Sequence, residues 1–264
     1  MMKLKSLAIA ALLIGIAASP AAAASCGNTA AGFDSWLGGF KREAAAAGIG
    51  NKALSALNGL TYSTQVIRLD RNQKSFRISQ AAFIKGRVTP GRVNRAKKML
   101  QKHSRLFSSI EKKYGVPKEI IVAIWAMETD FGVNRGKMNI FRSLATLAYD
   151  CRRSAFFKNE LMSALQIAQR GWMSPSQMCG AWAGELGQTQ FLASSYLNYA
   201  VDYNGDGRRD LVRSTADVLA STANYLRRKG WRPGGGFKQG ALAEWNKSSK
   251  YQTAIAVFAE RVSQ

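Results

Sequence analysis

Histidine and cysteine are almost missing from this chain: its 264 residues hold one histidine, His103, and three cysteines. A Ser-His-Asp triad takes its base from histidine, so that chemistry has a single residue to draw on. Zinc sites need His and Cys at ligand spacing, and here they are neither plentiful nor clustered. Acidic residues are scarce too. Asp and Glu number 16 against 38 Lys and Arg, a formal net charge of +22. Acid/base chemistry therefore falls to one of a few carboxylates. The charge suits an anionic partner, whether nucleic acid, a membrane surface or an acidic polymer. Repeats, heptads and long alternating strand patterns are absent. The apolar fraction of 47% is nevertheless ample for a packed core, which excludes a disordered basic tail.

Lys3 and Lys5 precede the apolar run LAIAALLIGIAA, and small residues follow up to Ala22 and Ala24. A basic start, a short apolar stretch and an A-x-A site predict a secretory signal peptide over residues 1–24, with the mature chain starting at Ser25. The run is too short for a lasting membrane span. Cys26 follows the expected cut, but Ala23 stands where a lipid-attachment site would carry Leu, so a lipid anchor at Cys26 is the weaker alternative. The expected location is the periplasm, as a soluble protein, with peripheral membrane association left open. Export turns the basic surface toward wall polymers and lipids rather than chromosomal DNA, and no nucleic-acid reader motif is present. It also permits a disulfide. Cys26–Cys151 and Cys151–Cys179 are the candidate pairs, with three free thiols as the third option.

Most of the mature chain reads as helix. FDSWLGGFKREAAAAG places Phe33, Trp36, Leu37 and Phe40 on one face. Residues 87–115 read as one long amphipathic helix with a basic face and His103 on its surface. In VPKEIIVAIWAMETDFG, Pro117 and Glu119 suit a helix start. Every residue from Ile120 to Met127 is apolar, as in a buried helix. Further helices are expected at 154–170, from Ser194 to Tyr199, and over TADVLASTANYLRRKGW, with a small strand element near the C-terminus. The expected division is a helical N-terminal region at 25–115, a core at 116–232 and a C-terminal segment at 233–264. The fold class is mainly α.

Three segments carry chemistry. Glu128 ends the buried helix, with Ile121, Ile124 and Trp125 on its face. Desolvation and the helix C-terminus both raise its pKa, as a general acid requires. DYNGDGRRD places Asp202, Asn204 and Asp206 at positions 1, 3 and 5 of a calcium-loop pattern, with Gly207 at position 6 and the Arg208 carbonyl next. Position 12 is Arg213 instead of Glu, so Asp217 is the residue that could close a lengthened loop. GAWAGELGQTQF lets a sugar or peptide approach the backbone and offers Trp182, Gln188, Thr189 and Gln190.

These segments, in this order, resemble the lytic murein transglycosylases of the membrane-bound type B family, lysozyme-like enzymes that cut peptidoglycan. The resemblance covers most of the mature chain and is strongest from Val116 to Trp231. It implies a lysozyme-like transglycosylase fold with Glu128 as the catalytic residue. It places a sugar-contacting amide on Gln190 and an aromatic hydroxyl on Tyr225, and lines the cleft with Trp245, Asn246 and Tyr251 from WNKSSKY. The DYNGDG loop corresponds to a structural calcium site closed by Asp217; no cofactor is needed for the chemistry. Two departures stand beside the site: Ala193 where Pro is frequent, and Trp245 where Tyr is usual. The implied reaction cleaves the β-1,4 bond between N-acetylmuramic acid and N-acetylglucosamine without water and leaves a 1,6-anhydro end. The implied partner is the glycan strand, and the expected state a monomer. A hydrolytic muramidase and a non-catalytic wall-binding protein are the alternatives. Hydrolysis would ask for a second carboxylate. Asp130 is too close to Glu128 along a helix to share its face; Glu185, in the glycine-rich segment, is the better candidate, though it reads first as a solvated loop carboxylate.

Overall fold

The computed structural model describes residues 25–72 and 78–264, so the expected leader at 1–24 lies outside the described residues. The described chain is helical apart from one short strand pair. Its helices are α1 (Phe33–Ala46), α2 (Asn51–Leu54), α3 (Thr64–Arg71), α4 (Gln80–Arg87), α5 (Pro90–Lys102), α6 (Ser104–Tyr114) and α7 (Lys118–Thr129). They continue with α8 (Ile140–Tyr149), α9 (Ser154–Gln169), α10 (Ala193–Tyr199), α11 (Thr215–Arg228), α12 (Ala241–Trp245) and α13 (Ser249–Ser263). The strands β1 (Met138–Asn139) and β2 (Cys179–Gly180) pair antiparallel, Met138 opposite Gly180 and Asn139 opposite Cys179.

Helix α7 is the axis of the molecule. Ile120 through Met127 are all buried, and α5, α6, α11 and α13 pack around them. An all-apolar helix has no face for water, so it must be enclosed. The enclosing helices show the complementary pattern, each burying one stripe: Phe107, Ile110 and Tyr114 on α6, and Tyr251, Ala254, Ile255, Phe258 and Val262 on α13. Phe33, Trp36, Leu37 and Phe40 of α1 are buried as their spacing predicts. The three aromatics among them join Tyr62 and Tyr149 in an aromatic cluster. One contiguous set of buried residues runs from Phe33 to Val262.

Two expectations are corrected. The long helix over 87–115 is broken. Thr89 caps α5 through the Arg92 N–H with Pro90 in the first turn, and His103 leaves helical geometry at φ −112°, ψ 29°. The break lets α5 lie on α7 and α13 while α6 lies on α11 and α7. His103 packs edge-on to Trp125 with ring centroids 6.2 Å apart. The strand element is also not near the C-terminus. AIAVFAERV belongs to α13, where its apolar residues fall at helical spacing; a short apolar run does not by itself separate strand from helix.

Cys26 and Cys151 form a disulfide, and Cys179 is a free, exposed thiol. The bridge ties the chain before α1 to the turn between α8 and α9. Beside it, Asp70 is buried and ion-paired with Arg71, Arg152 and Arg153, which anchors α3 to the same turn. No helix among the described residues is long and apolar enough to cross a membrane.

Candidate active site

Glu128 stands in the last turn of α7, where the helix meets a cavity of about 590 Å³. Helices α4, α7, α11, α12 and α13 and the segment 181–195 all contribute to the wall. A cavity of this size falls in the range of small-ligand sites. The Glu128 Oε1 atom accepts two hydrogen bonds, from Tyr251 Oη at 2.6 Å and from Trp245 Nε1 at 3.0 Å. Burial pushes the carboxyl up to about 7. The Tyr251 and Trp245 bonds and the Arg87 charge oppose that rise, and the Glu185 charge adds to it. Desolvation wins because the carboxyl is enclosed and no cation pairs with it. The carboxyl is therefore protonated in a good fraction of molecules near neutrality. With Oε1 occupied by two donors, the proton belongs on Oε2.

The chain just past Glu128 is held in an unusual shape. Asp130 and Phe131 both take left-handed backbone angles, φ 53° and 61°. Asp130 is fixed by Arg95 Nη1 at 2.8 Å, and Arg95 also lies over the Phe131 ring. Thr129 Oγ1 donates to the Gln188 carbonyl and accepts the Gly132 N–H.

The glycine-rich segment folds as a set of turns across the cavity wall. Leu186 bridges both Gly180 and Phe191. A Cβ on Gly180 would collide with the Glu185 carbonyl, so the close approach needs glycine. Gln190, at φ 53°, donates through Nε2 to the Gly187 carbonyl at 2.8 Å and the Arg135 carbonyl at 3.2 Å. Trp182 and Asn246 line the same cavity. The Asn246 Oδ1 accepts the Ser248 N–H, which fixes the turn between α12 and α13.

The structure brings together every cleft residue expected from the sequence, but gives several a different task. Trp245 and Tyr251 bond to Glu128 rather than standing free. The Tyr225 hydroxyl donates to the Glu244 carbonyl at 2.7 Å, and its ring packs edge-on against Trp245 and Phe191. Gln188 and Thr189 are buried struts. Gln188 joins Trp125 Nε1 to the Val212 carbonyl, and Thr189 meets Thr222. Glu185 is not a solvated loop carboxylate. It is mostly enclosed and lines the cavity with Glu128, and burial raises its pKa. Arg87 and Ser195 also line the cavity, with no sequence signal to mark them.

In the loop between α10 and α11, carboxylate oxygens of Asp202, Asp206 and Asp217 lie within 4.8 Å of one another. Asp202 accepts the Gly205 and Gly207 N–H groups at 2.7 Å, which folds the loop around its carboxylate. Asn204 bonds Asp206, and Asp217 reaches in from α11, fully buried, with its pKa raised by that burial. Three carboxylates and an amide carbonyl form a hard oxygen set, which fits calcium better than a softer metal.

Residues 32–241 match the Transglycosylase SLT domain family. The chain belongs to this family. The transglycosylase domain is 37% identical over 148 residues to membrane-bound lytic murein transglycosylase B of Escherichia coli K12. That alignment takes in 56% of this chain and spans 41% of the curated relative. SltB3 of Pseudomonas aeruginosa, solved in complex with NAG-anhNAM-pentapeptide, superposes with a TM-score of 0.82. It is 31% identical, with 88% of this chain and 79% of that chain covered. The E. coli lytic transglycosylase Slt35, solved in complex with calcium, gives a TM-score of 0.77 at 25% identity over 86% of this chain and 92% of that one. The fold is thus the lysozyme-like lytic transglycosylase fold expected from the sequence.

Proposed function

We propose that this chain is a peptidoglycan lytic transglycosylase that cuts the β-1,4 bond from N-acetylmuramic acid to N-acetylglucosamine, with Glu128 as its single acid/base. The observation that carries this reading is a carboxyl at the cavity wall, raised to about 7, with one oxygen held by Tyr251 and Trp245. Protonated Oε2 delivers its proton to the glycosidic oxygen as the C1–O4 bond breaks. Positive charge develops on the muramyl ring, and the carboxylate left behind is stabilised by the two donors on Oε1. The same carboxylate then takes the proton of the muramyl 6-hydroxyl while its oxygen closes on C1. The product carries a 1,6-anhydro end and Glu128 is protonated again, with no water consumed and no cofactor required.

Around that step, the Gln190 Oε1, Asn246 and the Trp182 face serve the sugar. Calcium bound by Asp202, Asn204, Asp206, Asp217 and the Arg208 carbonyl would brace the loop between α10 and α11. The relatives with wall fragments or calcium in their structures support both assignments. We also infer that the chain is exported to the periplasm as a monomer and that its basic surface docks on the anionic wall polymer. Weaker retention on sacculi at raised salt tests that inference.

The deciding experiment is digestion of purified sacculi followed by mass spectrometry. Soluble fragments lighter by one water than reducing-end products are expected, and Glu128→Gln should release none while keeping its fold. Reducing-end products would instead identify a muramidase. Binding with no soluble fragments would identify a wall-binding protein.

A further inference from the structure

Glu185 has a chemistry that the cleavage above does not use. It sits in the turn Gly184–Gly187, whose backbone is pinned by the Ala181 N–H on its carbonyl and by the Leu186 bridges. It lines the same cavity as Glu128. Oε2 accepts the Ala183 N–H at 3.2 Å, and the residue's own N–H also favours the carboxylate. No Lys or Arg among the described residues lies within ion-pair distance of it. The Arg153 guanidinium, which acts on it from farther off, is already paired with Asp70. A largely enclosed carboxylate with no cation in contact is costly unless a positive partner arrives. The protein offers none at contact distance. The proposed reaction makes one, because the muramyl ring becomes cationic as the glycosidic bond breaks.

We infer that Glu185 is the counter-charge of the cleft, a carboxylate that stabilises the cation formed on the substrate sugar during glycosidic bond cleavage. The inference rests on the glycosidic reading of the cavity but not on how the cation is quenched. The muramyl 6-hydroxyl and a water molecule would meet the same cation. The two carboxyls then divide the work as paired carboxyls do in glycosidases, one held protonated and one held ionised. Burial alone holds the Glu185 carboxyl toward its neutral form, so the ionised role depends on the substrate cation. The Glu185 anion is supported by two backbone N–H groups and by Arg153, with Glu160 opposing. Glu128 is surrounded by Tyr251 of α13, Trp245 of α12, Arg87 of α4 and Glu185 itself. Tyr225 of α11 and Glu244 of α12 complete the titratable groups of the cavity.

The test is Glu185→Gln in the full mature chain, assayed on sacculi across pH. Gln keeps an acceptor for the Ala183 N–H, so the turn stands, and thermal melting checks it. A charge that acts on the transition state alone should lower kcat by roughly 10- to 100-fold with KM within about twofold. The acid limb of kcat/KM should vanish, because it reports Glu185 ionising. The alkaline limb should move to lower pH, because a neighbouring negative charge no longer holds the proton on Glu128. Glu185→Asp should restore part of kcat and the acid limb. If Glu185→Gln melts like the parent and keeps both kcat and both limbs, the inference is overturned. If it melts lower, Glu185→Asp decides: a carboxylate that restores the melt but not the rate or the acid limb overturns the inference equally. The transglycosylase reading fails separately, on the mass of the wild-type products, since reducing ends would leave the role of Glu185 in place.

Discussion

Replacing Tyr251 with Phe tests whether the donors on Oε1 set the acid strength of Glu128. The hydroxyl lies 2.6 Å from Oε1, shorter than the 3.0 Å bond from Trp245, and both favour the carboxylate against a burial that pushes the carboxyl up to about 7. A hydrogen bond to a charged group contributes about 1.5–3 kcal/mol net. One pKa unit corresponds to about 1.4 kcal/mol, so loss of the hydroxyl should carry Glu128 up by about 1–2 units, to roughly 8–9. A higher pKa keeps the acid protonated further into alkali. The alkaline limb of kcat/KM should therefore move up by the same about 1–2 units. The rate at the optimum should fall, because the carboxylate formed as the proton leaves has one donor fewer. If half of the bond's contribution is expressed in the transition state, the loss is roughly 3- to 12-fold. Release of soluble fragments from labelled sacculi, followed from acid to mild alkali, measures both effects. An alkaline limb that stays put or moves to lower pH, in a variant that melts like the parent, refutes the assignment of Tyr251 as a donor that tunes the acid.

Glu128→Gln should also change stability in a pH-dependent way. A carboxyl whose folded pKa is raised favours the folded state only while protonated, so the wild type loses stability as pH rises from about 4.5 to about 7, by about 3–4 kcal/mol in all. The Gln variant should melt above the wild type at pH 8 and near it at pH 4; equal melting at both pH values would place the Glu128 pKa in the ordinary range. Calcium at ~10 mM should stabilise the mature chain by about 1–3 kcal/mol if the loop binds with the ~0.1–1 mM affinity of extracellular sites. Chelator or Asp217→Asn should remove that shift in calorimetry, and a calcium response that survives Asp217→Asn would move the ion elsewhere. Cys151→Ser should cost about 2–5 kcal/mol in denaturant unfolding, because the Cys26–Cys151 bridge spans a sequence separation of 125. An unchanged midpoint would mean that the bridge constrains little of the unfolded chain.

How far the sequence could be read follows from the range of the interactions involved. Helix α7 was legible because its pattern is local: eight apolar residues in a row admit no wetted face, and Glu128 ends them. The gathering of Asp202 and Asp206 in one loop was legible for the same reason, since alternation of oxygen donors and one glycine is a local device. The break at His103 was not legible. Residues 87–115 keep an amphipathic stripe throughout, and what interrupts them is the need to meet two sets of partners, α13 on one side and α11 on the other. Arg87 was missed and Glu185 was read as a solvated loop carboxylate because only tertiary contact brings α4 and the turn Gly184–Gly187 to the end of α7. Trp245 and Tyr251 stood out as cleft residues through their resemblance to a known segment. Their bonds to Glu128 depend on α13 packing against α7, which no local pattern encodes.

Backbone strain and catalysis meet at the same place. Among the described residues, Asp130, Phe131 and Gln190 are the non-glycine positions with positive φ, and all three lie within the site segments. Each such residue costs about 1–3 kcal/mol and persists only where its surroundings fix it. Here the fixing contacts run between the two halves of the site. Arg95 holds Asp130, Thr129 reaches the Gln188 carbonyl, and Gln190 is held by the carbonyls of Arg135 and Gly187. Gly132 lies against the Gln188 side chain so closely that a Cβ would collide with it, and its φ of 84° excludes most side chains in any case. The end of α7 and the glycine-rich turns are thus clamped together, and both line the cavity that holds Glu128 and Glu185. Clamping of that kind suits a reaction whose charge appears briefly at one carbon, because the groups that stabilise it need no reorganisation when it forms.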